Sequence, residues 1–146
     1  MIGLLQRVSE AAVRIDDETV GEIGAGLVVL AGFRQGDGVE RIPRFVERLL
    51  NYRVFADDEG RMNLSLRDCG GGLLVVPQFT LAADTNSGNR PSFTPAAQPA
   101  EGEALFTALI EQVQSDWPDS AFGRFGADMQ VALVNDGPVT FWLEVD

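Results

Sequence analysis

Two short segments contain the residue types from which a reaction site is most readily built. Pro77-Gln78-Phe79-Thr80-Leu81 follows an apolar run, so its amides and its hydroxyl can point into a cleft where a strand ends. Asn135-Asp136-Gly137-Pro138-Val139-Thr140 consists largely of turn formers, and this composition predicts a hairpin turn between two strands. From composition alone, the first segment is better explained as a strand that ends against a proline, because short motifs often match by chance.

The residues that are absent narrow the chemistry further. The chain has no histidine, and all 11 of its basic residues are arginine. This composition excludes a Ser-His-Asp triad, a Schiff-base lysine, a Walker lysine and a histidine-bearing zinc site. The lone cysteine, Cys69, has only Arg67 as a basic neighbour and is expected to be a bystander thiol. Catalysis must therefore come from hydroxyls, carboxylates, amides, arginines or the substrate itself, and neither a metal nor a cofactor is expected.

The net charge of −11 argues against a nucleic-acid partner, because phosphate binding normally uses a basic surface. It does not exclude one, since physiological salt screens charges beyond about 8 Å and a local patch can still act. Arg41, Arg44 and Arg48 fall on one side of a predicted helix and could contact phosphates. Glu40 and Glu47 interleave with them, so an exposed face with ion pairs is the favoured interpretation.

Hydrophobic periodicity predicts the elements that must position these segments. One helix is expected over residues 39–50, where Asp37 and Glu40 could form a capping box, although Pro43 makes its start hard to place. A second helix is expected over residues 105–117 and ends before Pro118. The long polar segment 82–99 is predicted to be a loop, and a loop of this length in a compact domain is often functional. Strands are predicted at residues 2–8, 12–15, 19–23, 27–30, 53–55, 73–76, 123–126, 128–134 and 139–145.

The order of these elements and the length of the chain define the expected fold class. At 146 residues the chain is expected to form one domain over residues 1–146. The expected fold is α+β, with a largely antiparallel sheet or sheets covered by two helices. No apolar run reaches 18 residues and the start does not resemble a signal peptide, so a cytoplasmic protein without membrane contact is expected.

Together, the two segments resemble the signature motifs of the D-aminoacyl-tRNA deacylases, the D-tyrosyl-tRNA deacylase family. Both occur in the family's order, and the resemblance extends over nearly the whole chain. The other matching segments are Leu5-Gln6-Arg7-Val8-Ser9, Asn51-Tyr52-Arg53-Val54-Phe55, Met62-Asn63-Leu64-Ser65, Arg90-Pro91-Ser92-Phe93 and Phe125-Gly126-Ala127-Asp128-Met129-Gln130-Val131.

The resemblance implies a β/β/α-layered homodimer whose active sites lie at the subunit interface. Gly137 and Pro138, joined by a cis bond, would enter the site from the other subunit as a chiral gate that Arg7 braces. The catalytic residues that it implies are Gln78, Phe79 and Thr80, and the substrate-binding residues are Gly137, Pro138, Arg7, Pro77, Met129 and Asn135.

The implied activity is hydrolysis of the ester of D-aminoacyl-tRNA, and of glycyl-tRNA mischarged on tRNA-Ala. Such an ester lies beside a ribose 2′-hydroxyl, so that hydroxyl or a positioned water can act without a histidine. Backbone amides near Phe79 and Thr80 would stabilise the oxyanion. The chain departs from the family at Pro77, where serine is usual; proline removes both a hydroxyl and an amide donor.

Two further interpretations remain open at this point. One is a non-catalytic RNA- or protein-binding dimer on the same fold. The other is a small-molecule esterase that uses Thr80 or Ser92 and cleaves simple D-amino-acid esters without tRNA.

Overall fold

The computed structural model describes residues 1–146, which form eight strands and three α-helices. Short 3₁₀ turns at Val39–Arg41 and Phe79–Ala82 complete the regular structure. The helices are α1 (Ile42–Asn51), α2 (Leu66–Cys69) and α3 (Pro99–Asp116). The strands are β1 (Ile2–Ile15), β2 (Glu18–Ile23), β3 (Gly26–Gly32), β4 (Phe55–Ala56), β5 (Met62–Leu64), β6 (Gly72–Pro77), β7 (Ser120–Phe122) and β8 (Gln130–Glu144).

The long strand β1 organises the main sheet. One of its edges pairs with β8 along almost its whole length. The other edge is divided between β3, which pairs with residues 2–8, and β2, which pairs with residues 11–15. The sequence predicted two separate strands here, because Ser9 and Glu10 interrupt the apolar pattern. Both are exposed residues of one continuous strand, whose backbone stays paired with β8 on either side of them.

Three strands of the same sheet are parallel. β3 pairs with β6, and β6 pairs with the short strand β7. Their carboxyl ends, at Gly32, Pro77 and Phe122, therefore lie at one edge of the sheet. The predicted α+β class is confirmed, and this parallel group is an addition to the antiparallel pairing that was expected.

The two faces of the sheet bury different sets of side chains. Helices α1 and α3 cover one face, where Phe45, Leu49 and Leu109 pack in the larger of two main core clusters. Alternate residues of the strands point to the opposite face, where Val28, Leu74 and Val76 belong to a smaller cluster. None of the three helices combines the length and the apolarity needed to cross a bilayer.

The predicted capping box of α1 is wrong. Gly38 precedes the 3₁₀ turn without any side-chain cap. The Asp37 carboxylate instead accepts a hydrogen bond from the backbone amide of Arg34 at 2.8 Å and pairs with Arg41 at 2.6 Å. Pro43 lies in the first turn of α1, where a missing amide donor costs no helical hydrogen bond.

Several element boundaries also differ from the prediction. Helix α3 starts six residues earlier than expected, because Pro99 suits the first turn of a helix. Strand β4 begins only at Phe55, and β7 ends just before the predicted strand at 123–126. Helix α2 was not predicted; it is a single turn that Ser65 and Asp68 start as a capping box. Hydrogen bonds from the backbone and side chain of Ser65 lower the pKa of the Asp68 carboxyl.

Candidate active site

A cleft of about 420 Å³ opens at the edge where β6 and β7 end. Pro77 and Gln78 leave β6 on one side of it, and Phe125 and Met129 belong to the segment that joins β7 to β8. No charged side chain lines the cleft. The lining residues are Val76, Pro77, Gln78, Phe79, Ala97, Pro99, Phe125, Gly126, Ala127, Met129 and Val131.

The first signature turns sharply at the end of β6. The amide of Gln78 donates to the carbonyl of Ala31 at 2.7 Å, and the 3₁₀ turn begins at the next residue. The first backbone amides of a helix have no hydrogen-bond acceptor within the helix. The amides of Phe79 and Thr80 therefore have no acceptor within this 3₁₀ turn, and no side chain caps the turn. The Gln78 amide group donates to the Thr80 hydroxyl at 2.5 Å. Gln78 and Phe79 line the cleft, whereas Thr80 lies exposed beside it.

The second signature is not a hairpin turn, and that prediction is wrong. β8 runs through it without reversing, antiparallel to β1 on both sides. Thr140 pairs with Gln6 and Asn135 pairs with Val8, so residues 136–139 lie opposite the single residue Arg7. Turn-forming residues here produce a bulge within one strand, because β1 supplies a continuous partner. The Gly137-Pro138 bond within this bulge is cis.

The bulge is stabilised by hydrogen bonds among its own residues and by hydrogen bonds from a side chain of β1. The guanidinium of Arg7 donates to the carbonyl of Asp136 at 3.0 Å and to that of Val54 at 2.8 Å. Asn135 accepts the amide of Val139 at 3.1 Å and donates to the hydroxyl of Thr140 at 2.8 Å. Residues 136–138 are exposed at the tip.

The expected site residues thus form two groups within one chain. Pro77, Gln78, Phe79 and Met129 line the cleft, with Thr80 hydrogen-bonded to Gln78. Gly137, Pro138, Arg7 and Asn135 form or brace the bulge, and none of them lines the cleft of its own chain.

One wall of the cleft, formed by Phe125, Ala127 and Ala97, was not predicted as part of the site. Parallel pairing of β6 with β7 brings the residues after β7 beside those after β6, and that pairing was not predicted. The available signal for Phe125 and Ala127 was the family-like segment that contains them, because the three residues of β7 are too few to show a periodicity.

The shifted ionisable groups lie away from the cleft lining. Paired hydrogen bonds from Arg34 at 3.1 and 3.2 Å, then one from Trp142, lower the pKa of Glu144. The hydrogen bonds to Glu144 raise the pKa of the Arg34 guanidinium. Burial and then Asp68 raise the pKa of the Cys69 thiol, which agrees with a bystander role.

The three arginines in and just before α1 are only partly paired. Arg41 pairs with Asp37, while Arg48 lies over the ring of Tyr52, 5.8 Å from its centroid. Arg44 makes no ion pair, and the interleaved glutamates form none either, so the predicted ion-paired face is wrong apart from Arg41. Arg41 and Arg48 instead contact residues other than the interleaved glutamates.

Comparisons with known proteins agree with the two signatures. A family model described as D-Tyr-tRNA(Tyr) deacylase matches residues 4–144. A relative from Thioalkalivibrio sulfidiphilus, named D-aminoacyl-tRNA deacylase, is 63% identical over 145 residues, which cover 99% of this chain and 97% of that protein.

Two solved structures resemble the whole chain. One, titled c-Myc DNA Unwinding Element Binding Protein, has a TM-score of 0.94 and 36% identity, covering 100% of this chain and 99% of the other. A second, titled as a probable eukaryotic D-amino acid tRNA deacylase, has a TM-score of 0.85. At 19% identity, with 99% and 98% of the two chains covered, it supports the fold alone.

Proposed function

The chain belongs to the D-Tyr-tRNA(Tyr) deacylase family and is a hydrolase of the aminoacyl-tRNA ester, and from this we propose how it selects the D-amino acid. The cleft beside Phe79 holds the D-aminoacyl end of the tRNA, and the bulge at Gly137 and Pro138 of a second subunit closes it. The single observation that supports this arrangement is that one signature lines a cleft and the other forms an exposed bulge, and that no residue of the bulge lines the cleft of its own chain.

The chemistry requires a nucleophile and a stabilised oxyanion. In the proposed site, the amides of Phe79 and Thr80 donate to the oxyanion, each contributing about 2.7–4 kcal/mol to the transition state. A positioned water attacks the ester carbonyl, and the ribose 2′-hydroxyl relays the proton of that water to the departing ribose oxygen. The bond from that carbonyl to the ribose oxygen breaks, and free D-amino acid and tRNA leave.

The D-amino acid is selected because backbone atoms exclude an L side chain. Gly137 and Pro138 would press on Cα of the bound amino acid, leaving room for hydrogen on that side and none for an L side chain. A D side chain would point away from the gate, which gives broad acceptance of D-amino acids. We further propose one deacylase domain over residues 1–146 that acts in cytoplasmic translation quality control and binds tRNA.

The assay that tests this function is hydrolysis of D-tyrosyl-tRNA by the purified protein. We expect catalytic release of free D-tyrosine and intact tRNA. Binding without hydrolysis would instead support a non-catalytic nucleic-acid-binding dimer, the type of function for which the 36% identical structure is named. Cleavage of D-tyrosine methyl ester at the same rate as D-tyrosyl-tRNA would support a small-molecule esterase.

The protein is expected to be a homodimer, because the cleft lacks the gate within its own chain. Light scattering should give twice the 15.8 kDa mass of the chain at working concentration. A fully active monomer would contradict the composite site. Mixing subunits that carry Gln78→Ala with subunits that carry Pro138→Ala should restore activity that neither variant has alone.

Glycyl-tRNA is expected to be a partial substrate. Glycine has no side chain with which the gate could clash, and the methyl group that D-alanine adds contributes only about 1–3 kcal/mol to binding. Deacylation of glycyl-tRNA and D-alanyl-tRNA should be compared over a series of enzyme concentrations. Survival of glycyl-tRNA at a thousandfold the concentration that clears D-alanyl-tRNA would rule out exclusion as the sole mechanism.

Replacing Gly123 by alanine is expected to lower kcat/KM about tenfold or more. A Cβ there would lie 2.9 Å from Sδ of Met129 and 3.2 Å from Cδ of Pro77, so the flexible Met129 must shift where it lines the cleft. A displacement of about 1 Å can cost about 10²-fold in rate. Gly24→Ala is the matched control, because its Cβ would meet nothing within 4 Å. Equal activity of the two variants would show that Met129 does not shape the site.

A further inference from the structure

An exposed pair of phenylalanine rings lies at the rim of the cleft. Phe79, which lines the cleft, is 54% exposed, and Phe93 is 44% exposed. Their ring centroids are 5.1 Å apart and their planes are inclined by 57°. Neither ring belongs to a core cluster. The chain therefore presents two large apolar faces to solvent beside the site of reaction.

The loop that carries Phe93 is anchored on both sides of it. Before the ring, Asp84 and Ser92 exchange two backbone hydrogen bonds of 2.8 and 2.9 Å. After it, the side chain of Gln35 donates to the carbonyl of Thr94 at 2.5 Å. Phe93 is thus held beside Phe79 by backbone contacts, and a ligand that used the pair would find it already formed.

An unpaired positive charge lies on the same loop. Arg90 is three residues before Phe93, and its guanidinium makes neither a hydrogen bond nor an ion pair within the chain. The only acid over residues 82–98 is Asp84, whose carboxylate accepts the amide of Asn86. In a chain of net charge −11, a free guanidinium on the loop that also carries an exposed aromatic ring favours an anionic partner with flat apolar groups.

We propose that Phe79 and Phe93 form a stacking platform for a base of the single-stranded 3′ end of tRNA, upstream of the aminoacylated nucleoside, with Arg90 contacting its phosphate. This inference rests on the proposed function, because an ester held in the cleft requires the nucleic acid to leave across its rim. Aromatic rings stack on any base without reading its identity. Stacking also contributes affinity without a basic surface, which answers how a strongly acidic protein holds a polyanion.

The test uses two non-hydrolysable probes with the intact protein. One is 3′-deoxyadenosine that carries D-tyrosine through a 3′-amide, and the other is the same unit at the end of the tRNA 3′-terminal trinucleotide. Calorimetry gives the Kd of each for the wild type, Phe93→Ala, Phe93→Trp and Trp142→Ala. Trp142 is a matched control, since it is a half-exposed aromatic residue outside the cleft lining.

The wild type should bind the trinucleotide about tenfold more tightly than the nucleoside, which corresponds to about 1.4 kcal/mol. Phe93→Ala should remove that preference without weakening the nucleoside, while Phe93→Trp and Trp142→Ala retain it. Arg90→Gln should reduce the slope of log Kd against log salt for the trinucleotide by about 0.7, as expected for one phosphate on a single strand.

Each alternative outcome contradicts the platform in a distinct way. An equal loss for both probes would assign Phe93 to the amino-acid site, and an unchanged preference would leave the ring without a role in binding. Dissociation of the Phe93→Ala protein in light scattering would show that a second copy covers the rings. A wild type that neither binds the nucleoside probe nor hydrolyses D-tyrosyl-tRNA would instead overturn the proposed function itself.

Discussion

Removing the 2′-hydroxyl of the terminal adenosine is expected to slow hydrolysis by about 10²-fold or more, the contribution typical of a positioned proton-transfer group. Thr80→Ala is expected to cost less than that. A threonine nucleophile needs a nearby base, and the chain has no histidine or lysine to serve. The Thr80 hydroxyl already accepts a hydrogen bond from Gln78, and the variant keeps the backbone amide that would bind the oxyanion. Single-turnover rates on 2′-deoxy and normal D-tyrosyl-tRNA measure both effects.

Two results would contradict this mechanism. Undiminished turnover of the 2′-deoxy substrate would leave the 2′-hydroxyl without a role. Trapping an acyl group on Thr80 by rapid quench and mass spectrometry would show that the threonine is the nucleophile after all. Thr85→Ala is a matched control, because Thr85 is exposed and makes no side-chain hydrogen bond.

Replacing Arg7 by alanine is expected to lower kcat/KM on D-tyrosyl-tRNA by tenfold or more and to narrow the preference for D over L. Arg7 is the one residue opposite the four of the bulge, and its guanidinium bonds the carbonyls of Asp136 and Val54. Hydrogen bonds from a charged group are worth about 1.5–3 kcal/mol. Without them, the bulge that is proposed to exclude L side chains would be less firmly placed.

The control for Arg7 is Arg61→Ala, because the Arg61 side chain is 79% exposed and pairs only with Glu59. Arg7→Lys should recover part of the activity, since an ammonium cannot reproduce the two-pronged geometry of a guanidinium. Circular dichroism and thermal melts separate a displaced bulge from a loss of folding. An Arg7→Ala protein with unchanged activity and unchanged chiral preference would show that Arg7 does not brace the gate.

Local patterns predicted much of the fold. The helical spacing of Phe45, Leu49, Leu105 and Leu109 places apolar side chains on one face of each helix, and those faces are buried in the structure. The run Leu73–Val76 is the buried strand that was expected. These elements were predictable because the spacing of apolar residues along a single segment indicates which of its side chains are buried.

The features that were missed depend on partners distant in sequence. The segment around Gly137 has the composition of a turn, and only continuous pairing with β1 makes it a bulge. Phe125 and Met129 share a cleft because β6 pairs in parallel with β7, and no periodicity in either strand predicts that pairing. The signature motifs identified Gln78 and Phe79, whereas the cleft they line had to be seen in three dimensions.

Selection of the D-amino acid is tested by comparing the hydrolysis of D-tyrosyl-tRNA and L-tyrosyl-tRNA, prepared on the same tRNA and treated with the same purified protein. We expect the D-ester to be cleared at catalytic enzyme concentrations, while the L-ester decays at its spontaneous rate even with a large excess of enzyme. Hydrolysis of the two esters at equal rates, or of neither, would contradict a deacylase that selects the D-amino acid by backbone exclusion at Gly137 and Pro138.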